Sequence, residues 1–173
     1  DLYGNAFWAG LTGELTLLDP WRIAWDLNYG SVSYDDTSAN RAGWLASLLV
    51  EYDLGWTKPG IYGWYASGDD DNINDGSEQI PTIDAGWNAS SFGFDGSVYG
   101  ASSNVKISDT IAGLWGVQLR FDDISYMEDL KHNLRFAYYT GTNDKNVPRK
   151  LGWSSPYATG QGLYLTEKDH AFE

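Results

Sequence analysis

The sequence WRIAWDLNY at residues 21–29 alternates bulky apolar residues with other residues at every second position. Side chains alternate between the two faces of a β-strand, so a strand with this sequence has one apolar face and one polar face. Arg22 and Asp26 fall on the polar face, whereas no charged residue falls on the apolar face. The stretch therefore predicts a strand that lies between an apolar environment and a polar one.

The same alternation recurs in residues 7–17, 44–54, 111–121 and 132–138, and no Asp, Glu, Lys or Arg occupies the apolar positions. Strands of about ten residues with one apolar and one polar face are typical of membrane-spanning β-barrels, so we expect the apolar faces to contact lipid. We expect the polar faces to line a water-filled pore. The predicted pore-lining residues are Glu14, Arg22, Asp26, Glu51, Asp53, Gln118, Arg120, Lys131 and Arg135.

The composition narrows the choice of protein class. The formal net charge of −13 argues against nucleic-acid binding, and the absence of cysteine excludes disulfides and thiolate sites. The chain also has no apolar run long enough for a membrane-spanning helix. It is rich in aromatic residues, with 9 Trp and 12 Tyr. Trp and Tyr favour membrane interfaces, and the spacing of Trp21 from Tyr29 and of Trp44 from Tyr52 predicts two aromatic girdles.

The connections between the predicted strands alternate between short and long, as in outer-membrane barrels. The predicted short connections are at residues 19–20, 55–59 and 122–129, with a medium loop at 35–43. The predicted long outer loops cover residues 68–108 and 141–160.

Two further strands, at about 60–67 and from about 161 to the end, bring the predicted total to seven. The fold class is thus all-β, a porin-like transmembrane antiparallel β-barrel, with residues 1–173 as part of a single barrel domain. Single-chain bacterial barrels have even numbers of strands, so we expect the full barrel to contain strands beyond these.

Five segments carry a more specific signal: WLASLLVEYDLGW (44–56), PGIYGWYASGDDD (59–71), GSEQIPTI (76–83), AGLWGVQLRFDDISYMEDLKHNLRFAYYTGTND (112–144) and LYLTEKDHAFE (163–173). They resemble the homotrimeric outer-membrane porins of sulfate-reducing bacteria. The resemblance implies a barrel of about sixteen strands in the outer membrane of a Gram-negative bacterium. It also implies contact with lipid and lipopolysaccharide, assembly of three identical chains, and passage of small hydrophilic solutes without a cofactor.

Residues 67–78, SGDDDNINDGSE, are strongly acidic. We expect Asp69, Asp70, Asp71 and Asp75 to place negative charge at the outer mouth of the pore. Clustered oxygen ligands also suit Ca²⁺, although the spacing differs by one residue from an EF-hand loop. The alternatives are an acidic solvated loop or a loop that folds inward and narrows the pore.

The predicted function is passive diffusion of ions and small hydrophilic solutes, with a weak preference for cations, and the chain is not expected to be an enzyme. Its only histidines are His132 and His170, and the sequence shows no histidine aligned with a serine or carboxylate for catalysis. The alternatives are a secreted β-sandwich that binds carbohydrate through calcium, and an outer-membrane barrel enzyme.

Overall fold

A computed structural model describes residues 4–81, 113–150 and 165–173. Residues 82–108 and 151–160 of the two predicted outer loops lie outside the described residues, as do residues 1–3, 109–112 and 161–164. The strands are β1 (Gly4–Leu15), β2 (Trp21–Tyr34), β3 (Arg41–Tyr52), β4 (Lys58–Ala66), β5 (Leu114–Met127), β6 (Leu130–Gly141) and β7 (His170–Phe172). A 3₁₀ helix at Thr37–Ala39 and a short helix α1 at Val147–Lys150 lie in connections.

The seven strands form one antiparallel sheet in the order in which they occur along the chain. In the described residues β1 and β7 are its two edges. Within residues 4–81, 113–150 and 165–173, the all-β prediction and the predicted seven strands are confirmed. No helix in residues 4–81, 113–150 and 165–173 is long and apolar enough to cross a membrane.

One face of the sheet, here called the apolar face, carries the apolar residues of the alternating pattern, and most of its large side chains are exposed. Trp44 and Leu48 are each 50% exposed, and Ile61 is 55% exposed. Other exposed members are Phe7, Leu11, Trp21, Trp25, Leu27, Tyr65, Trp115, Val117, Leu119, Leu134, Phe136 and Phe172. An exposed apolar surface of this extent is typical of faces that contact lipid or another protein surface.

The opposite face, here called the polar face, changes in character along the strands. Toward the short turns it carries charged side chains. Toward the long connections it carries a small core of Trp64, Leu114, Ala137, Tyr139 and Leu165. The described parts of the long connections therefore pack over one end of the polar face and leave the charged residues nearer the other end.

The prediction of a turn at 122–129 is wrong. β5 continues to Met127 and β6 begins at Leu130, so only Glu128 and Asp129 form the turn. The pairing between the two strands shifts after Phe121 and again after Ile124, and Asp123 adopts a φ of 56°. β-Bulges of this kind interrupt the alternation of side chains, which is why the sequence pattern resembles a turn.

The last strand is shorter than predicted. Residues 165–169 form a turn in which the Thr166 N–H and hydroxyl donate to Asp169 Oδ2, at 2.8 and 2.7 Å, and the Asp169 N–H donates back to the Thr166 carbonyl. Only His170–Phe172 pairs with β6. Similarly, β5 begins at Leu114 rather than at 111, since Gly113 lies in a turn with a φ of +77°.

Candidate functional site

Charged side chains on the polar face form a row across the sheet. The strand pairing aligns Arg22 with Glu51, Glu51 with Gly60, Gly60 with Arg120, and Arg120 with Arg135. Directly paired residues in antiparallel strands project from the same face. Four side chains from β2, β3, β5 and β6 are thus brought side by side, and Glu14 and Asp122 join them from β1 and β5.

The six residues make a continuous series of ion pairs, here called the charge ladder. Arg22 Nε lies 2.8 Å from Glu14 Oε1, and Arg22 Nη1 lies 2.7 Å from Glu51 Oε2. Arg120 Nε lies 3.6 Å from the other oxygen of Glu51 and donates to Asp122 Oδ2 at 2.6 Å. Arg135 donates to Asp122 Oδ1 through Nε and Nη2, at 3.1 and 3.0 Å. Each arginine therefore contacts at least one carboxylate.

The members of the charge ladder differ in exposure. The side chains of Glu51 and Asp122 are only 9% and 13% exposed, whereas those of Arg22 and Arg135 are 46% and 38% exposed. Two of the three carboxylates are thus largely buried, whereas the Glu14 side chain is 48% exposed. The ladder therefore presents two arginines, Arg22 and Arg135, and one carboxylate, Glu14, to the space in front of the sheet.

A second, more exposed group of charges lies beside the ladder at the end with the short turns. Lys58 Nζ lies 2.9 Å from Asp123 Oδ2, and Lys131 Nζ lies 3.5 Å from Asp123 Oδ1. A cavity of about 340 Å³ lies between this group and the first turn. Its lining residues are Thr16, Asp19, Pro20, Trp21, Arg22, Glu51, Asp53 and Lys58.

Three of the predicted pore-lining residues lie outside the ladder and this second group. Asp26 is on the polar face, paired in register with Thr12 and Ser47. Asp53 follows the end of β3 and accepts the Gly55 N–H at 2.7 Å, so it belongs to a turn. Gln118 is on the polar face but only 1% exposed, because it sits between Tyr62 and Ala137. This burial does not fit a residue that lines a water-filled space.

The acidic run after β4 divides into three environments. Asp70, Asp75 and Glu78 each place a carboxylate oxygen within 4.8 Å of the others. Asp71 instead pairs with Lys150 at 2.8 Å. Asp69 is half-buried, and this burial is the main reason why its pKa is raised to about 6. The carboxylates that suit a divalent cation are therefore Asp70, Asp75 and Glu78.

Residues 67–81, here called the inner segment, fold back over the polar face. The Trp8 indole N–H donates to the Pro81 carbonyl at 2.7 Å, and the Ala42 N–H donates to the Ser77 carbonyl at 3.0 Å. A Cβ at Gly43 would lie 2.2 Å from the Glu78 carbonyl oxygen, so the segment can approach this closely only over a glycine. Of the alternatives stated for this loop, the inward-folded arrangement fits the described residues.

Sequence reasoning missed several residues of this site. Lys58 and Asp123 lay in stretches without regular alternation, and Gly60 gives no periodic signal. Asn143 joins the inner segment to the sheet, yet its sequence neighbourhood reads as an ordinary polar loop. Asn143 differs from an ordinary loop asparagine only in the number of hydrogen bonds that its side chain makes in the folded structure.

Comparison with protein-family models, with curated proteins and with solved structures found no match to this chain.

Proposed function

We propose that this chain is part of an outer-membrane porin, through which ions and small hydrophilic solutes diffuse across the outer membrane of a Gram-negative bacterium. In this proposal the protein is a homotrimer that acts without a cofactor. The observation that carries it is the separation of the two faces of one long-stranded sheet, with exposed apolar side chains on one face and the charge ladder on the other. A barrel wall between lipid and water requires this separation.

The aromatic residues of the apolar face support the proposal. The rings of Trp21 and Tyr52 pack edge to face, with their centroids 4.9 Å apart. The ring centroids of Tyr29 and Trp44 are 4.7 Å apart. The two pairs are separated by eight residues along each strand, which projects to roughly 20 Å along the membrane normal for a tilted strand. This distance suits two girdles that flank an apolar band.

On the other face, the inner segment would stand inside the channel and narrow it. The charge ladder would form part of the channel wall, where opposed charges orient and sort solutes. The ion pairs keep the arginines extended along the wall, so they hold fixed positions relative to a passing solute.

The test is ion conduction by the complete barrel protein of which this chain is part, reconstituted in planar bilayers. The variant Arg135→Gln removes an exposed guanidinium from the ladder, whereas Lys168→Gln removes one positive charge from the exposed turn before β7. We expect the wild type to conduct, and Arg135→Gln to move the reversal potential in a salt gradient toward cations by more than Lys168→Gln does. A wild type without conductance contradicts the proposal, as do equal shifts in the two variants.

One observation favours a second candidate, a secreted calcium-dependent carbohydrate-binding protein. The carboxylates of Asp70, Asp75 and Glu78 converge as calcium ligands would. Such a protein would cover the apolar face with a second layer and would stay soluble without detergent. Sedimentation after detergent removal distinguishes the two, because the porin should aggregate.

A further inference from the structure

Asn143 follows β6 and is only 2% exposed, yet its side chain makes four hydrogen bonds to three other segments. Its Oδ1 accepts the Asp69 N–H at 2.9 Å and Gln79 Nε2 at 2.7 Å. Its Nδ2 donates to the Leu165 carbonyl at 2.7 Å and to the Gly113 carbonyl at 3.4 Å. Both donor and acceptor capacities of the amide are used, which is the pattern of a fully satisfied buried group.

The two bonds to Oδ1 reach opposite ends of the inner segment. Asp69 lies near its start and Gln79 near its end, so one oxygen atom draws the two ends together. The two bonds from Nδ2 reach the residue before β5 and the turn before β7. Asn143 thereby connects the inner segment to the strands at the far side of the sheet from Trp8, which holds Pro81.

Other contacts of the inner segment lie within it, on β1 and β3, or on the chain near Asn143. The Asp144 N–H donates to the Asp69 carbonyl at 2.8 Å, the Gly113 N–H donates to the Ser67 carbonyl at 3.0 Å, and Lys150 pairs with Asp71. Ser67 donates to the Glu78 carbonyl within the segment, and Ser77 bonds through its backbone to Asn40 and Ala42. Asn143 differs from these contacts because its one side chain bonds both ends of the segment, at Asp69 and at Gln79. Loss of the Asn143 side chain would leave the strands paired but would weaken the hold on both ends, so that the segment moves away from the polar face more readily.

We propose that Asn143 is the positioning residue that holds the inner segment against the polar face and thereby sets the size of the largest solute that passes. This inference rests on the proposed function, because the segment limits size only if the polar face lines a channel. The role is one of geometry alone, and Asn143 itself need not touch the solute.

The test compares Asn143→Ala with Asn133→Ala in the complete barrel protein in planar bilayers. Asn133 also accepts a backbone N–H, that of Asp123 at 3.0 Å, but it lies at the short-turn end of the sheet. The probes are neutral polyethylene glycols of increasing size, which report the size limit without any effect of charge. We expect Asn143→Ala to admit larger polymers than either the wild type or Asn133→Ala.

A reversible disulfide cross-link, here called the lock, makes the test specific to the position of the inner segment. The chain has no cysteine, so Arg41→Cys with Ser77→Cys introduces a single disulfide between β3 and the inner segment. These two residues are partners in an isolated β-bridge, which brings their backbones close enough for a disulfide. In the Asn143→Ala background we expect the oxidised lock to restore the wild-type size limit and its reduction to remove it. An unchanged size limit in Asn143→Ala, or a lock without effect, overturns the inference.

A second readout does not depend on conduction. Removal of a buried acceptor from two donors should speed amide hydrogen exchange in residues 67–81 by about tenfold or more, while exchange in the strands stays unchanged. A wild type that passes no solute would overturn the porin proposal and with it the size limit, but exchange in Asn143→Ala would still show whether Asn143 holds the segment. If Asn143→Ala does not fold, Gln79→Ala removes one of the two Oδ1 bonds, and unchanged exchange there overturns the inference.

Discussion

Gly60 is the residue at which the charge ladder crosses β4 without a side chain. A Cβ at this position would lie 2.8 Å from Glu51 Cγ and 3.4 Å from Arg120 Cγ, so even one methyl group displaces the side chains that meet over it. Gly63 lies on the same strand but faces the apolar side, where the nearest atom to a Cβ is the Gly116 carbonyl oxygen at 3.8 Å. Gly60 and Gly63 therefore lie on the same strand, but a methyl group would be crowded at Gly60 and would have space at Gly63.

We predict that Gly60→Ala lowers the free energy of unfolding by roughly 1–3 kcal/mol, the usual cost of overpacking a filled site. Gly63→Ala should change it by much less, because its methyl group enters open space. Denaturant titration in lipid vesicles measures both. Equal losses in the two variants would mean that β4 resists any added methyl group and that the charge ladder is not the cause.

The protonation of Asp69, in the inner segment, makes the stability of the folded chain depend on pH. Burial raises the pKa of Asp69 to about 6, and the neighbouring Glu78 and Asp70 add to the rise, while a hydrogen bond from Ser77 and the charge of Arg41 oppose it. The folded chain therefore holds the Asp69 proton at pH values where the unfolded chain, in which the carboxyl has its ordinary pKa of 3.8, has lost it. By linkage, this residue's contribution to stability is fully present at low pH and declines as pH rises from about 4 to about 6.

We predict that Asp69→Asn removes this decline, since an amide does not titrate. The measurement is the denaturant midpoint of both proteins from pH 4 to pH 7, and the wild type should lose stability relative to Asp69→Asn up to about pH 6. Because the other carboxylates are present in both proteins, their effect on stability cancels in the difference between the wild type and Asp69→Asn. A difference between the two proteins that stays constant with pH would show that Asp69 titrates at its ordinary value when folded.

At the scale of secondary-structure elements, β3 allows a direct test of which face meets lipid. Leu48 and Leu49 are adjacent leucines that project from opposite faces. Leu48 is 50% exposed on the apolar face, and Leu49 is paired with Ala24 and Tyr62 on the polar face. An arginine near the bilayer midplane costs roughly 2–4 kcal/mol when it faces lipid.

We predict that Leu48→Arg lowers the free energy of unfolding in lipid by roughly this amount and that Leu49→Arg costs less, because its guanidinium reaches water. Folding titrations in vesicles provide the measurement. If Leu49→Arg is the more damaging of the two, then the polar face is the one that is packed against apolar groups.

The sequence pattern is sufficient to predict these elements wherever alternation is strict. In β2 and β3 the alternating residues predict both the strands and their faces, because side chains alternate across a strand and the charged residues all fall on one side of it. The prediction fails at the bulges of β5, where Asp123 at a φ of 56° breaks the period, and in the turn closed by Thr166 and Asp169.

The candidate site is less visible in the sequence. Alternation places Arg22 and Arg120 on the polar face, but the pairing of strands that are distant in sequence decides which carboxylate each one meets. The inner segment depends on the close approach of two backbones over Gly43 and on the bonds of Asn143. Neither arrangement has a repeating pattern along the chain, so only the folded structure shows it.

For the whole molecule, the balance of charge in the proposed channel determines which ions it favours. Within the charge ladder, the three arginines are matched by Glu14, Glu51 and Asp122, so the ladder itself has no net charge. The inner segment has an excess of carboxylates, because Lys150 pairs with Asp71 while Asp70, Asp75 and Glu78 remain clustered. A cluster of one sign raises the local concentration of the opposite ion, and more so at low salt.

We therefore predict a weak cation preference that increases as the salt concentration falls, and that the triple variant Asp70→Asn, Asp75→Asn, Glu78→Gln abolishes most of it. The matched control, Asp19→Asn, Glu128→Gln, Asp129→Asn, removes three carboxylates from the short turns at the other end of the sheet and should change it less. Reversal potentials in planar bilayers under a salt gradient measure the preference. Because the inner segment lies over the polar face and the short turns do not, anion selectivity that is the same in all three proteins would mean that the exposed guanidinium groups of Arg22 and Arg135 dominate the field in the channel.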